Sequence, residues 1–358
     1  MNRLLHLSAH TVGITRRVLA LAAAAVLAAA PAAGQDRVGT TASPFLTLGT
    51  GARGQSVGQA YVATATGGDA LFWNPAGAAR RSETARAAGS AFLTQHEWFA
   101  DIRYNAAGVT LPMGSGGGVL GLSIASVGYG RDEVRTERQP EGTGDTFGAS
   151  DFSFGVTYAR PLTEAFYFGG TAKIVRQTIW DMSATGIAAD FGISLDTGFN
   201  GVLLAASIQN FGSKMQMGGI NARRTIDIDE GTQGNNENIT TEIEMDSWDM
   251  PLSFRFGTSA PILQAGNVEL RVLADAQQTN DNVLNADFGG MATYDAGPVV
   301  LELRGGYRDA FVPDMDNHFS FGGGLRTEVS GYSLGIDVGY LPFDYVGSST
   351  LFDLRLEF

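Results

Sequence analysis

Beyond the first 34 residues the chain carries two histidines, His96 and His318, and it has no cysteine anywhere. A histidine can serve as a general base or a metal ligand. A Ser-His-Asp hydrolase needs its histidine and serine facing one another at one site. His96 lies in Gln95-His96-Glu97-Trp98 and His318 in Asn317-His318-Phe319, and neither lies in a nucleophile motif or beside a second histidine. Without cysteine there is no thiolate nucleophile, no disulfide framework and no cysteine-based zinc or iron–sulfur site. The run Gly49-Thr50-Gly51-Ala52-Arg53-Gly54 formally satisfies G-x-G-x-x-G. Dinucleotide binding also requires a buried strand before it and a helix after it in a βαβ unit, and neither pattern flanks the run. Six carboxylates (Asp227, Asp229, Glu230, Glu242, Glu244 and Asp246) crowd the stretch 212–248. They could attract Ca²⁺, but their spacing lacks the twelve-residue cation loop, so a solvated acidic face is expected. The residue types predict a protein that is not an enzyme, with no catalytic residues, no cofactor and no metal.

The remaining charges sit in a different pattern. In Asp151-Phe152-Ser153-Phe154-Gly155-Val156-Thr157-Tyr158 the even residues are apolar and the odd ones small or polar, and the same alternation recurs in 186–196, 268–276, 299–307, 332–340 and 350–358. Alternate side chains of a strand point to opposite faces, so each segment has one greasy and one polar side. Fourteen such segments are expected, beginning near residues 86, 100, 118, 150, 166, 186, 202, 249, 268, 284, 299, 317, 332 and 350. By parity, Asp101, Arg103, Asp190, Arg255, Glu269, Arg271, Glu302, Arg304, Asp337 and Arg355 fall on the polar face. Charges in mid-strand suit a wet lumen rather than a dry sandwich core. Their mixed signs predict pairing between strands and with material inside the barrel; the alternative is a polar pathway for substrate.

Composition agrees with that reading. There are 48 glycines in 358 residues, only 17% charged residues and a net charge of −13. Low charge and high glycine fit strands with one face in lipid, and the acidic balance excludes nucleic acid as a partner. No run after Gln35 is long enough for a membrane helix. Tight connections at Gly114–Gly118, 160–165, 295–298 and 328–331 oppose the long stretches 130–149 and 212–248, the asymmetry of an outer-membrane barrel. Aromatic residues gather at the strand ends: Tyr158, Phe166, Tyr294 and Tyr332 at one, Trp180, Trp248, Tyr307 and Tyr340 at the other. They form two expected girdles. The fold class expected is therefore all-β, a transmembrane antiparallel β-barrel of about fourteen strands with an N-terminal plug in its lumen.

The domain organisation follows from the same pattern. Arg3, Arg16 and Arg17 precede the apolar run Val18 to Ala30 and small residues up to Gly34, the layout of a cleavable signal peptide over 1–34. Residues 35–85 lack alternation and are expected to form the plug, and 86–358 the barrel. Fourteen strands lie between the eight that their own side chains fill and the sixteen that leave a channel, so a plug is needed. Within it, Pro75 pushes Asn74 out of helical backbone, and the Asn74 side chain can satisfy unpaired backbone groups. Trp73, Asn74, Pro75 and Gly77 are its expected motif, a fixed turn tying plug to wall.

The run from Gly51-Ala52-Arg53 to Trp73-Asn74-Pro75-Ala76-Gly77 resembles the N-terminal signature of the PorV/PorQ family, which in turn is similar to the FadL-type barrels. Further blocks carry the resemblance: 151–179, Ile208 to Met215, and Pro251 to Gly257. The terminal Phe358 resembles the signal by which the assembly machinery inserts barrels into the outer membrane. The resemblance implies an outer-membrane protein of a Gram-negative-type bacterium. Its primary implied role is a protein-binding or shuttle component of type IX-like secretion or surface attachment, with secreted cargo or secretion-system subunits as partners. The alternative it implies is passive, FadL-like transport of hydrophobic small molecules past the plug and through a lateral opening in the wall.

Overall fold

The computed structural model describes residues 39–80, 89–114, 116–226, 239–312, 317–345 and 347–358. The expected signal peptide and the carboxylates Asp227, Asp229 and Glu230 lie outside the described residues.

Fourteen long strands follow one another: β1 (Ser90–Glu97), β2 (Arg103–Pro112), β3 (Val119–Glu133), β4 (Thr146–Pro161), β5 (Phe166–Ile179), β6 (Met182–Asp196), β7 (Leu203–Gly212), β8 (Ser253–Ala265), β9 (Val268–Thr279), β10 (Asn285–Asp295), β11 (Val299–Tyr307), β12 (Phe319–Val329), β13 (Tyr332–Phe343) and β14 (Gly347–Glu357). Each pairs antiparallel with its sequence neighbours, and β14 returns to β1 with Ser90 opposite Glu357 and Glu97 opposite Thr350. Closure leaves no sheet edge, which is the condition for a sheet to span a bilayer. The transmembrane fourteen-strand barrel expected from the alternation is the fold of the chain.

Alternation becomes a wall with two environments. Large apolar residues such as Phe152, Phe154, Ile187, Phe191, Leu303 and Ile336 stand on the outside, while Ser153, Asp190, Arg304 and Asp337 are buried inside. An outer face this apolar is unfavourable in water and is the band that lipid covers. The ladder is irregular at Gly128/Arg131 between β3 and β4, at Ala189/Phe191 between β6 and β7, and at Pro261/Leu263 between β8 and β9. The C-terminal Phe358 closes the seam by two backbone bonds with Gly89, of 2.9 and 2.8 Å.

Residues 39–80 lie within the barrel as short pieces: a 3-10 turn (Pro44–Thr47), α1 (Ala52–Ser56), α2 (Gly67–Trp73) and a second 3-10 turn (Pro75–Ala79). Their apolar residues Val57, Tyr61, Val62, Ala70, Leu71 and Trp73 form a buried core with Ala159, Leu203, Ala205 and Leu273 of the wall. The expected length pattern is broken most sharply between β5 and β6. Trp180 and Asp181 alone join β5 to β6 on the side of the long loops, with Trp180 at φ 53°. The long stretch after β7 carries a small hairpin, Arg223–Ile226 paired with Ile239–Glu242.

Candidate functional site in the barrel lumen

The inner segment is irregular backbone, and each unpaired N–H or C=O in it costs free energy unless something bonds it. Wall side chains supply much of this. Asp353 of β14 accepts from the backbone N–H of Ala52 at 2.6 Å and of Arg53 at 3.4 Å, at the start of α1. Ser320 accepts from Gly58 at 3.0 Å, and Asp275 accepts from Val62 at 2.9 Å. At the other end of α2, Gln209 of β7 donates to the carbonyls of Phe72 and Trp73, and Ser207 to that of Trp73.

The expected plug motif forms one joint. The Trp73 indole donates to the Thr50 carbonyl at 2.8 Å and meets Tyr61 edge-on. The Asn74 amide donates to the Val62 carbonyl inside and to the Ile193 carbonyl of β6, while its oxygen accepts from Ala76. A side chain on Gly192 would strike the Asn74 oxygen at 2.0 Å, and one on Gly77 would strike the Ala65 carbonyl at 2.2 Å. The geometry is that of a fixed tie between inner segment and wall. The glycines of the G-x-G-x-x-G run also serve packing: a Cβ on Gly54 would lie 2.3 Å from the Trp73 ring.

The ten charges assigned to the lumen by parity divide into five groups. Glu302, Arg304, Asp337 and Arg355 form one buried network on β11, β13 and β14. Arg304 bonds both Glu302 and Asp337, and Arg355 reaches Asp337 at 2.7 Å. Arg304 crosses β12 to do so, because Gly324, opposite both Glu302 and Asp337, has no side chain in its way. Arg53 of α1 joins through Glu302 at 3.2 Å. Burial opposes the Arg53 charge, but Glu302 beside it holds its pKa above the ordinary arginine value. Burial likewise raises the Tyr61 hydroxyl, which stays protonated and donates to Asp69 at 3.0 Å.

Arg271 pairs with Glu269 at 2.9 Å near the short turn between β8 and β9. Asp190 sits at the β6–β7 irregularity, where Lys173 of β5 bridges it at 2.8 Å and the Asn210 side chain at 2.6 Å. Arg255 forms no ion pair among the described residues; its guanidinium lies over the Trp73 ring at 5.0 Å. The last two are corrections. Ala100 and Asp101 are both left-handed, with φ 56°, and make the β1–β2 turn. The phase of β2 is thereby set with Tyr104 and Ala106 inward, leaving Asp101 exposed in the turn and Arg103 on the outer face. Arg53, Lys173, Asp275 and Asp353 were not singled out; Asp275 and Asp353 had the same alternation signal as the others.

Between residues 45–50, α2 and strands β2–β7 lies a cavity of about 50 Å³. Phe45, Leu46, Leu48, Leu71 and Phe72 line it from inside. The wall contributes Ser123, Ala125, Ser153 and Thr171, and Lys173, Asp190 and Asn210 stand where the ladder breaks. Thr50 and Tyr104 join hydroxyls across it at 2.5 Å. The inner side is apolar, and the wall side is polar and carries the Lys173–Asp190 ion pair.

His96 does have a serine, which sequence spacing did not reveal. Its Nε2 lies 2.5 Å from Ser349 Oγ on the neighbouring strand. Its Nδ1 accepts from the Trp98 indole N–H at 2.8 Å. An indole can only donate, so the neutral ring carries its proton on Nε2 and donates to Ser349, which donates on to the Glu97 carbonyl. In this tautomer Nε2 has no lone pair for the serine proton, so the pair does not fit a hydrolytic dyad. His318 bonds the Arg308 carbonyl and stacks on Tyr307. No group of three potential metal ligands occurs among the described residues.

No family model matches the chain, and no curated protein does. Among solved structures it is similar to the toluene transporter TbuX of Ralstonia pickettii, at 11% identity and a TM-score of 0.51 over 86% of this chain and 97% of that one. The CymD monoaromatic hydrocarbon channel matches at 10% identity and a TM-score of 0.52, over 86% and 96%. A Pseudomonas aeruginosa FadL homologue matches at 11% identity and a TM-score of 0.51, over 86% and 97%. At these identities the likeness is one of architecture, and the chain has a FadL-type barrel fold.

Proposed function

We propose that this chain is an outer-membrane barrel that passes small hydrophobic molecules, and that the cavity beside residues 45–50 and α2 is their stopping place. The cavity carries the reading: it sets an apolar inner side against polar wall groups that can orient a ligand. Support comes also from the similar structures, two of which are a toluene transporter and a monoaromatic hydrocarbon channel. At about 50 Å³ the cavity is smaller than the ~150 Å³ that holds benzene in an engineered apolar site. Entry of a monoaromatic ring therefore displaces Leu46 and Leu48, which are only partly buried. The ladder break at Asp190 adjoins the cavity and is closed by Lys173 and Asn210. In this reading it is the place where the wall yields.

The shuttle role in secretion, with its PorV/PorQ membership, rests on sequence motifs alone, and nothing among the described residues favours it. Uptake of a labelled monoaromatic hydrocarbon by a host lacking its own hydrophobic-uptake barrels tests the proposal. Expression of this chain should raise the rate above that of the empty host. An unchanged rate, together with capture of secretion subunits from solubilised membranes, would replace it with the shuttle reading.

A further inference from the structure

The outer face is apolar over most of its area, and its polar positions, such as Arg176 of β5, are mostly single, whereas β1–β3 carry three side by side. Gln95 of β1, Asn105 of β2 and Ser126 of β3 stand opposite one another in one register row, all on the lipid side. The row lies six residues above Leu111 and Leu120 on their strands, roughly 20 Å along a strand of 3.3 Å per residue. That depth is inside the apolar band of a barrel, about 25 Å tall. Two residues higher, Glu97 and Arg103 face each other; Glu97 accepts a long 3.5 Å bond from Gln95, and neither charge takes part in an ion pair among the described residues. Below and beside the row the wall is dented by a groove of about 410 Å³, with Leu93, Ala107, Ile124 and Phe352 on its sides. Amides and charges turned toward hydrocarbon are costly, and such residues mark contacts with something other than acyl chains.

We propose that this face is the interface of a two-fold dimer of the barrel. A two-fold axis along the membrane normal, passing between β1 and β2, sets β1 of one copy against β2 of the other. Glu97 then meets the opposite charge of Arg103 across the interface, and the Gln95 and Asn105 amides, each both donor and acceptor, satisfy one another twice. An isologous contact requires such self-complementarity. Strand tilt offsets the paired rows by a few ångströms, within the reach of these long side chains. The small residues Ala107 and Ser126 and the groove beside them admit the flanking side chains of the second copy.

The absence of native cysteine makes the test clean. Gln95→Cys and Asn105→Cys chains, co-expressed and oxidised in intact membranes, should form a mixed disulfide dimer. Leu303→Cys, exposed on the outer face of β11, should not. Glu97→Arg should weaken dimerisation about tenfold or more through like-charge contact, and Glu97→Arg with Arg103→Glu should restore it. Cross-linking no greater than at Leu303, or a native mass spectrum with one barrel carrying bound lipid at every concentration, would overturn the proposal.

Discussion

The inner segment meets the wall in two ways. Against β10–β14, α1 and the residues just after it lie backbone to backbone on the wall. A Cβ on Gly306 would stand 2.0 Å from the Gly58 nitrogen, and one on Gly289 would stand 2.5 Å from the Val57 oxygen. Charges then lock what sterics have placed, through Arg53, Glu302, Arg304, Asp337 and Arg355. Against β2–β7 the Pro75–Ala76 turn again lies on wall backbone, at Gly169, but residues 45–50 meet the wall through side chains, with a cavity between Phe45, Leu46 and Leu48 and the strands. Close-packed backbone has no slack to give, whereas side chains have alternative rotamers. The first sector anchors α1 along its length, and the second, tied at Asn74 and Pro75, leaves room for a ligand beside residues 45–50.

Breaking the anchor should have the largest effect. Asp337→Ala leaves Arg355 buried without its carboxylate and Arg304 with Glu302 alone, which costs about 3–5 kcal/mol. Urea unfolding of the vesicle-inserted barrel, followed by tryptophan fluorescence, should show the loss. Gly306→Ala is next: its methyl group meets backbone rather than a movable side chain, and overpacking of this kind costs ~1–3 kcal/mol. Limited proteolysis should find residues 39–80 more accessible in this variant. Thr50→Val, in the cavity sector, removes the hydroxyl contact to Tyr104 for about 1 kcal/mol. It should leave proteolysis unchanged while altering the uptake rate. Equal stability losses from Thr50→Val and Asp337→Ala would remove the distinction between the two sectors.

Much of the barrel was legible because its period is two residues and its two faces meet lipid and lumen. All fourteen candidate strands appear, each beginning within four residues of its expected start. Parity failed only where a turn reset the phase, at Ala100 and Asp101, and so misplaced Asp101 and Arg103. The glycine excess was readable as a mark of strands with one face in lipid. Which glycine seats which atom, as Gly192 seats Asn74, depends on contacts far apart in sequence. The cavity was not legible, since Ser123, Thr171 and Leu46 lie on three separate elements and each has an ordinary local pattern. The pairing of His96 with Ser349 was hidden for the same reason, as the two residues meet only when β14 closes on β1.

The most direct test of the central claim is hydrocarbon uptake through a barrel whose cavity is filled and whose anchor is intact. Ser123→Leu puts an apolar side chain into the cavity from β3, far from the charge network. With folded protein matched to the unmodified chain by heat-dependent gel mobility, uptake of the labelled monoaromatic should fall to the level of the empty host. Uptake at the unmodified rate would contradict the assignment of this cavity as the route.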